Sequence, residues 1–343
     1  MIRDRGLFGR RTRSFTLQWH LTNACGWRCR HCYDREERGE LPLARALALL
    51  ADFQGFCRER RVTPQVCFTG GDPLLSASFW ELHRAVIEAR LPWSILGNPV
   101  APAVIQRLVE VHAPAYYQVS LEGLQAHNDD MRGAGHFERV LSFLAAARRL
   151  GLNTHVMLTL TRANLDQVIP LGASLRGLTE RFTFNRLAQV GRGADLELPG
   201  RSEFVAFLQE YGRARRSNPV LGFKDNLFNI IRLHFRRRPC GGCTGFGCGA
   251  AFNFVAVLPD GEVHACRKYP SPLGNINGAS LSSIYDSAAA RRYRDGPLPC
   301  RRCRLRNVCS GCPAVTFGQG LRPLADRDPF CFLADRAALL AEP

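Results

Sequence analysis

Three cysteines near the N-terminus have a spacing suited to metal chemistry. Cys25, Cys29 and Cys32 follow the pattern C-x3-C-x2-C. Thiolates are the soft ligands that iron–sulfur clusters take, so three of them could bind three corners of a [4Fe–4S] cube. The fourth iron would stay open, as in a catalytic metal site. A structural zinc loop or scattered buried thiols are the alternative interpretations of these residues alone.

Apolar side chains occupy alternate positions directly before these cysteines. Phe15, Leu17, Trp19 and Leu21 alternate with polar residues over the segment 15–21. A two-residue period predicts a strand with one apolar face. The cysteines should therefore lie on a loop at the C-terminal end of this strand, which is where α/β barrels and open sheets place their chemistry.

Strand-like and helix-like segments alternate after the cysteine loop. Leucines at helical spacing predict a helix over 41–61. The pattern then predicts strands at 65–69, 93–96, 116–121, 154–160 and 182–187, and helices at 103–111, 137–150 and 164–175. Six strand–helix units with short links predict the α/β class, in the form of a parallel and partly closed barrel.

Glycines and polar residues follow the ends of several predicted strands. Paired glycines let a backbone approach a ligand closely, and a guanidinium fork suits a carboxylate. Taken singly, each feature would usually be a turn or a solvated loop residue. In chain order the residues are Gly70, Gly71, Asp72, Pro73, Asn98, Ser120, Glu122 and Arg132.

Together with the cysteine spacing, these motifs resemble the radical S-adenosylmethionine (radical SAM) enzymes. In that family the open iron chelates SAM, and an electron from the cluster cleaves SAM to a 5′-deoxyadenosyl radical. The resemblance implies an open (β/α)6 barrel of the TIM type. It also implies SAM-binding roles for Tyr33, which follows the third cysteine, and for Gly70, Gly71, Asp72, Pro73, Asn98, Ser120, Glu122 and Arg132.

This chain departs from the family pattern at two acids. Asp72 stands where the GGEP motif commonly has Glu, which shortens the reach toward the SAM amino group. Glu122 stands where S-x-D-G commonly has Asp. Arg132 lies twelve residues past Ser120, an offset at which relatives pair an arginine with the SAM carboxylate. A solvated loop arginine is the alternative.

Nine further cysteines follow residue 239. An alternating run at 252–258, a turn at 259–261 and Val263 predict a β-hairpin among them. Four of the later cysteines form C-x2-C-x5-C-x2-C. In chain order the nine are Cys240, Cys243, Cys248, Cys266, Cys300, Cys303, Cys309, Cys312 and Cys331.

This second set resembles the SPASM domain of peptide- and protein-modifying radical SAM enzymes, although relatives usually have x3 before the last cysteine of the quartet. The resemblance implies two auxiliary [4Fe–4S] clusters and thus three in all. Cys240 could replace Cys243, and two zinc ribbons are the alternative to clusters. The implied ligands are Cys243, Cys248, Cys266 and Cys312 for the first cluster, and Cys300, Cys303, Cys309 and Cys331 for the second.

At 343 residues the chain fits two domains better than one. The expected organisation is a basic N-terminal segment at 1–14, a radical SAM barrel at 15–200, a helical bridge at 201–239 and a SPASM domain of short hairpins and helices at 240–343. No signal peptide or membrane-spanning stretch is evident, so we expect a cytoplasmic protein. Fourteen cysteines then favour metal ligation over disulfides.

The leading functional prediction is an enzyme that abstracts hydrogen from a ribosomally made precursor peptide and so oxidises or crosslinks it. Sulfatase maturation is the nearest alternative. It is disfavoured because Arg267 stands where those relatives carry an aspartate base, and a guanidinium cannot serve as that base. The net charge of +16 also raises RNA modification, but no RNA-binding module is visible. An electron-transfer protein would need no SAM pocket.

The expected partners are the precursor peptide and an external electron donor of the flavodoxin or ferredoxin type. Because the barrel begins near residue 15, we expect the peptide leader to meet a separate leader-binding protein or the basic segments 236–238 and 301–306. Arg186, Gln189 and Arg192 at the barrel mouth could contact SAM or substrate. Neither a membrane nor a nucleic acid is expected.

Overall fold

In a computed structural model of the chain, residues 2–3 and 11–334 are described. Six parallel strands form the barrel wall, and they lie in the sheet in chain order. They are β1 (Ser14–Thr22), β2 (Thr63–Gly70), β3 (Trp93–Leu96), β4 (Tyr117–Ser120), β5 (Thr154–Leu160) and β6 (Arg181–Arg186). The sheet does not close, so the predicted partial (β/α)6 barrel is confirmed.

Helices cover the outer face of this sheet because its outward side chains are apolar. Phe15, Leu17 and Trp19 of β1 are buried on that side, where Phe15 packs against Phe53 and Phe56. The barrel helices are α1 (Leu43–Arg60), α2 (Phe79–Glu88), α3 (Pro102–His112), α4 (Gln125–Arg132), α5 (His136–Arg149) and α6 (Val168–Ser174).

Predicted and observed elements agree except in two places. The helix predicted at 164–175 is a 3-10 turn, Arg162–Gln167, followed by α6. Pro170 explains the division, because a proline ring clashes with the carbonyl four residues earlier and cannot continue a helix from there. The helices α2 and α4 were not predicted. α4 has the polar sequence QAHNDDMR, which carries almost no apolar periodicity.

The predicted hairpin extends the barrel sheet. β7 (Phe254–Val257) pairs in parallel with β1, and β8 (Glu262–His264) and β9 (Pro272–Asn275) continue the sheet in antiparallel order. The strand order is therefore β9-β8-β7-β1-β2-β3-β4-β5-β6. The cysteine-rich part and the barrel thus share one sheet. Because β8 runs antiparallel to β7, the loop after β8 leaves the sheet toward the end where β1 begins, opposite the cysteine loop that follows β1.

After β6 and apart from the strands β7–β9, the regular structure of the described chain is helical. Its helices are α7 (Arg201–Ser217), α8 (Phe228–His234), α9 (Leu281–Tyr285), α10 (Ala288–Asp295) and α11 (Pro313–Gly318). No helix within 2–3 and 11–334 is both long and apolar enough to cross a membrane.

Candidate SAM and iron–sulfur sites

The three barrel cysteines lie on one loop directly after β1, as predicted. Burial raises the pKa of the Cys29 thiol, and the neighbouring Cys25 and Cys32 raise it further. Two donors face the thiols: Asn98 Nδ2 lies 3.6 Å from Cys25 Sγ, and Arg132 Nη1 lies 3.6 Å from Cys29 Sγ. Three adjacent thiols with a cation and an amide beside them suit an iron–sulfur cluster, whose sulfurs accept such hydrogen bonds.

Gly70 and Gly71 bring their loop against the cysteine loop. A Cβ added to Gly70 would lie 2.2 Å from Thr22 O, and one added to Gly71 would lie 2.3 Å from Ala24 O. The Gly71 N–H donates to Thr22 O at 2.7 Å, and the Asp72 N–H donates to Ala24 O at 2.8 Å. Because these glycines have no side chains, the protein's own backbone can approach them closely. The sequence predicted that a ligand would make this close approach, whereas here the neighbour is the cysteine loop.

Asp72 and Asn98 form a hydrogen-bonded pair beside Cys25. Asn98 Nδ2 donates to Asp72 Oδ2 at 3.2 Å, and Asp72 Oδ1 accepts from the Leu74 N–H. Tyr117 fixes Asn98 from behind by donating to its carbonyl at 2.7 Å. Burial raises the pKa of Asp72, against the effect of these hydrogen bonds. The carboxyl group of Asp72 is thus held by Asn98 and the Leu74 N–H with acceptor capacity to spare, although Asp72 and Pro73 do not themselves line the cavity described below.

Glu122 is completely buried, and it contacts Arg132. Its Oε1 accepts from Arg132 Nε at 2.9 Å and from Nη2 at 2.5 Å, while Oε2 accepts from the Thr159 N–H at 2.7 Å. Burial alone would raise the pKa of Glu122, but the neighbouring His31, the charge of Arg132 and the Thr159 N–H lower it. The carboxylate stays ionised and orients the arginine. The solvated-loop alternative for Arg132 is therefore wrong, because its side chain is only 10% exposed.

His31 also belongs to this group, although the sequence did not identify it. Its Nε2 lies 3.3 Å from Glu122 Oε1 and 3.5 Å from Arg132 Nη2. Burial is the main reason that the pKa of His31 is lowered to about 4, so the ring is neutral at pH 7. A single histidine between two cysteines carries no sequence signal that separates this role from an exposed position.

One cavity of about 780 Å³ joins these groups. The cysteine loop, Tyr33, Gly70, Gly71, Asn98, Ser120 and Arg132 line it, together with Arg267 and Lys268 from the loop after β8. This volume is in the range of small-molecule sites. The cavity therefore lies between the barrel cysteines and the cysteine-rich part of the chain.

Arg186 lines the cavity, but carboxylates already pair with its guanidinium. Its Nε donates to Asp225 at 2.7 Å, and its Nη1 and Nη2 donate to the two oxygens of Asp328 at 2.9 and 2.7 Å. Gln189 donates to the Leu196 carbonyl, and Arg192 is exposed. Arg306, which the sequence analysis placed on a basic surface, is 5% exposed and so contributes little to one.

The later cysteines fall into two groups in space. Burial is the main reason that the pKa of Cys248 is raised, and the nearby thiols of Cys312, Cys243 and Cys266 raise it further. Burial likewise raises the pKa of Cys300 to about 11, with contributions from Cys303 and Cys331, and Cys331 also affects Cys309. The thiols that influence one another are thus ones assigned to the same predicted ligand set, and the two sets stay a prediction.

Cys240 differs from these thiols in the groups that influence it. Burial raises its pKa and Asp225 adds to this, while backbone hydrogen bonds and Arg232 lower it. Cys57 and Cys67 are buried in the core.

The donor chemistry of all three groups fits iron–sulfur clusters. Within the described ranges, no three His, Cys, Asp or Glu side chains converge on a point that could hold a single metal ion. Ligands of a cubane each bind a different iron at its corners, whereas four zinc ligands must converge on one ion.

Residues at the start of α8 hold the two later groups together, and the sequence analysis did not identify them. Asn226 accepts from the Cys243 N–H at 2.8 Å and donates to Gly311 O at 2.6 Å. Asn229 accepts from the Cys240 N–H at 2.7 Å and donates to Val308 O at 2.6 Å. The only available sequence signal was a pair of asparagines in a predicted bridge, which has no spacing specific to this role.

Comparison with known proteins agrees with this geometry. The Radical SAM superfamily model matches residues 19–171, and the SPASM model, an iron-sulfur cluster-binding domain, matches residues 248–313. The chain is an enzyme of the radical SAM superfamily with a C-terminal SPASM domain. A radical SAM domain uses SAM and a [4Fe–4S] cluster, and a SPASM domain binds further clusters.

Individual relatives include peptide maturases and tetrapyrrole enzymes. Mycofactocin maturase MftC of Mycolicibacterium smegmatis is 29% identical over 92% of this chain and 82% of its own length. AdoMet-dependent heme synthase of Oleidesulfovibrio alaskensis is 23% identical over 92% of this chain and 86% of its own. Streptococcus suis SuiB, solved bound to the precursor peptide SuiA, aligns with a TM-score of 0.71 at 16% identity, covering 93% of this chain and 76% of SuiB.

Proposed function

We propose that this enzyme is a peptide maturase that abstracts a hydrogen atom from a ribosomally made precursor peptide, leaving an oxidised or crosslinked product. When bound, SAM and the cluster on Cys25, Cys29 and Cys32 supply the 5′-deoxyadenosyl radical. The chain's own task is to orient the peptide carbon toward that radical and to keep water out.

The observation that supports this function most is the shared cavity. The cysteine loop of the barrel and the loop that follows Cys266 line the same space. A substrate in this cavity would contact the SAM site on one side and the SPASM part on the other. An enzyme that removes electrons from its substrate needs both an initial abstraction and an acceptor for the remaining electron, and this arrangement provides for both.

For SAM itself, we propose contacts from the residues identified in the sequence. The backbone of Gly70, Gly71 and Pro73 and the carboxylate of Asp72 would bind the SAM amino group. Arg132, oriented by Glu122, would pair with the SAM carboxylate. Tyr33, Asn98 and Ser120 would contact the remainder of SAM. In this arrangement Glu122 acts through Arg132, since its own oxygens already have partners.

The auxiliary ligands are proposed in the same way. Cys243, Cys248, Cys266 and Cys312 would hold one cluster, and Cys300, Cys303, Cys309 and Cys331 the other, which gives three clusters in all. Cys243 is favoured over Cys240 as the ligand, because the Cys243 thiol is among those that raise the pKa of Cys248. We place the barrel at 15–200, the bridge at 201–239 and the SPASM part at 240–343, with the basic segment 1–14 before them.

Two partners complete the proposal. An external flavodoxin- or ferredoxin-like protein would supply the electron for SAM cleavage. The precursor leader would bind a separate protein or the exposed arginines at 236–238. Association through those arginines should weaken with salt, because exposed charges are screened over about 10 Å at 0.1 M ionic strength.

The test is anaerobic incubation of the cluster-loaded protein with SAM, a reductant and small peptides encoded beside its gene. We expect one peptide to change mass as 5′-deoxyadenosine forms. Protein carrying Cys25→Ala, Cys29→Ala and Cys32→Ala serves as the control and should leave every peptide unchanged. No change in any peptide, with SAM cleavage intact, would contradict the proposal.

A tetrapyrrole substrate is the second candidate, because the heme synthase is similar over nearly the whole chain. The same incubation with coproporphyrin III, with and without iron, separates the two candidates. A porphyrin product without any peptide product would favour a tetrapyrrole substrate over a precursor peptide.

A further inference from the structure

Positive charge in the cavity is distributed unevenly. On the barrel side, Arg132 pairs with Glu122, and deeper in the wall Arg186 pairs with Asp225 and Asp328. Arg267 and Lys268 line the cavity on the SPASM side. Among the residues that the structure describes, neither of these two has a carboxylate partner, and the one hydrogen bond of Arg267 is to Thr69 Oγ1 at 2.8 Å.

A clamped loop presents these two side chains. Ser271 closes the loop after β8: its Oγ accepts from the Cys266 N–H at 3.1 Å and donates to Cys266 O at 2.9 Å. The Ser271 N–H donates to His264 Nδ1, and the Ala265 N–H donates to Ser271 O. These hydrogen bonds hold the loop closed and so fix where Arg267 and Lys268 point. A ligand would therefore meet a preorganised site.

The lysine is unusual in this chain. Of 46 basic residues only Lys224 and Lys268 are lysines. Burial is the main reason that the pKa of Lys224 is lowered to about 8; the Cys243 thiol opposes this shift, and the charges of Lys268 and Arg267 add to it. Arg267 and Lys268 are thus two adjacent cations on one side of the cavity, where an anionic ligand would be favoured.

A second observation points to a ligand at the same place. His20 is 1% exposed and lines the cavity, yet its Nε2 has no hydrogen-bond partner. Arg267 is among the charges that affect His20. Buried polar atoms in native structures nearly always have partners, so an orphaned nitrogen on a residue that lines the cavity points to a group that binds there.

We propose that Arg267 and Lys268, with His20 beside them, bind a carboxylate of the substrate. In a precursor peptide this would be an acidic side chain or the C-terminus, held on the SPASM side of the cavity. The inference rests on the proposed function only in taking this cavity as the substrate site. Arg267 would then bind the substrate, whereas the sequence indicated only that Arg267 cannot serve as a base.

The experiment uses small probes on the cluster-loaded, SAM-bound protein, followed by saturation-transfer NMR. N-acetylglutamate α-amide carries a side-chain carboxylate, and N-acetylglutamine α-amide is its uncharged match. Wild-type protein should bind the acid at least tenfold more tightly, because charge-assisted hydrogen bonds are lost with the amide. N-acetylalanine tests a C-terminal carboxylate, and coproporphyrin III tests a tetrapyrrole carboxylate.

Arg267→Gln with Lys268→Gln should abolish the preference for acid over amide. Arg267→Lys should restore part of it, which guards against a folding defect. The exposed Arg149→Gln is the matched control and should keep the full preference. Equal binding of acid and amide by the wild type, or a preference that survives the double substitution, would overturn the inference.

Two further outcomes distinguish this inference from the proposed SAM contacts and from the peptide-maturase proposal. A double variant that loses SAM affinity but keeps the probe preference would assign the cations to the SAM carboxylate and overturn the inference. Carboxylate preference for coproporphyrin III alone, dependent on Arg267, would support the carboxylate site while contradicting the peptide-maturase proposal.

Discussion

The cysteine loop of the barrel and the cysteine-rich C-terminal part are assembled in opposite ways. In the barrel, three thiols lie on one loop after β1, and the adjoining Gly70–Gly71 backbone packs against that loop. In the C-terminal part, the proposed ligands come from segments between residues 243 and 331, and Asn226 and Asn229 of the bridge hold their backbones. One site is local, and the other depends on contacts far apart in sequence.

This difference predicts what substitutions at each site will damage. Substitutions in the local site should remove chemistry and leave the fold intact, because the sheet beneath it forms independently of the thiols. Substitutions among the long-range contacts of the other site should cost stability as well as clusters.

The largest expected effect is at the local site. Cys25→Ala, Cys29→Ala and Cys32→Ala together should abolish SAM cleavage and lower iron from about 12 to about 8 per chain, since each cubane holds four irons. Iron analysis and 5′-deoxyadenosine assay after anaerobic reconstitution measure both. A wild-type content near four would instead contradict the two auxiliary clusters.

The second effect separates two neighbouring cysteines. Cys243→Ala should remove about four irons per chain, because that thiol groups with Cys248 and Cys266. Cys240→Ala is the matched control and should keep the wild-type content. The reverse result would make Cys240 the ligand.

The third effect concerns the fold. Arg186→Met should destabilise the protein by about 3–5 kcal/mol, because it leaves the carboxylates of Asp225 and Asp328 buried without their cation. Arg162→Met is the control: Arg162 makes an exposed ion pair with Glu197, and its loss should cost at most about 1 kcal/mol. Denaturant unfolding of the reconstituted proteins measures both, and equal effects would contradict a structural role for Arg186.

The smallest effect is on SAM affinity. Arg132→Ala should weaken SAM binding by about 1.5–3 kcal/mol if the guanidinium pairs with the SAM carboxylate. Arg30→Ala, which removes an exposed arginine paired with Asp130, should leave it unchanged. Titration of SAM into each protein measures the difference, and equal affinities would return Arg132 to a purely structural pairing with Glu122.

The same contrast explains what the sequence could predict. The six barrel strands were predicted because their apolar alternation is local, and the thiol loop because its spacing is contained in eight residues. The roles of Asn226, Asn229 and His31 were not predicted, since each depends on a partner brought close only by folding. For the same reason Arg186 was assigned to the mouth, although its carboxylate partners Asp225 and Asp328 lie 39 and 142 residues away.

Glu122 and the glycine pair show a subtler limit. The sequence placed them at the end of the barrel that carries the cysteine loop, as observed, but it did not predict their contacts. Glu122 faces Arg132, and Gly70 and Gly71 face the Thr22–Ala24 backbone. A sequence motif predicts the part of the fold in which a residue lies. Which group that residue contacts depends on the length of its side chain and on which nearby polar atoms already have hydrogen-bond partners.

The most direct test of the account follows hydrogen from peptide to 5′-deoxyadenosine. A deuterated candidate peptide is incubated with wild-type protein and with a Cys266→Ala variant. We predict deuterium in 5′-deoxyadenosine from both proteins, because abstraction occurs at the barrel site, but a modified peptide from the wild type alone, because the SPASM part takes the remaining electron. Unlabelled 5′-deoxyadenosine from the wild type, or full product from Cys266→Ala, would contradict the division of labour between the two sites.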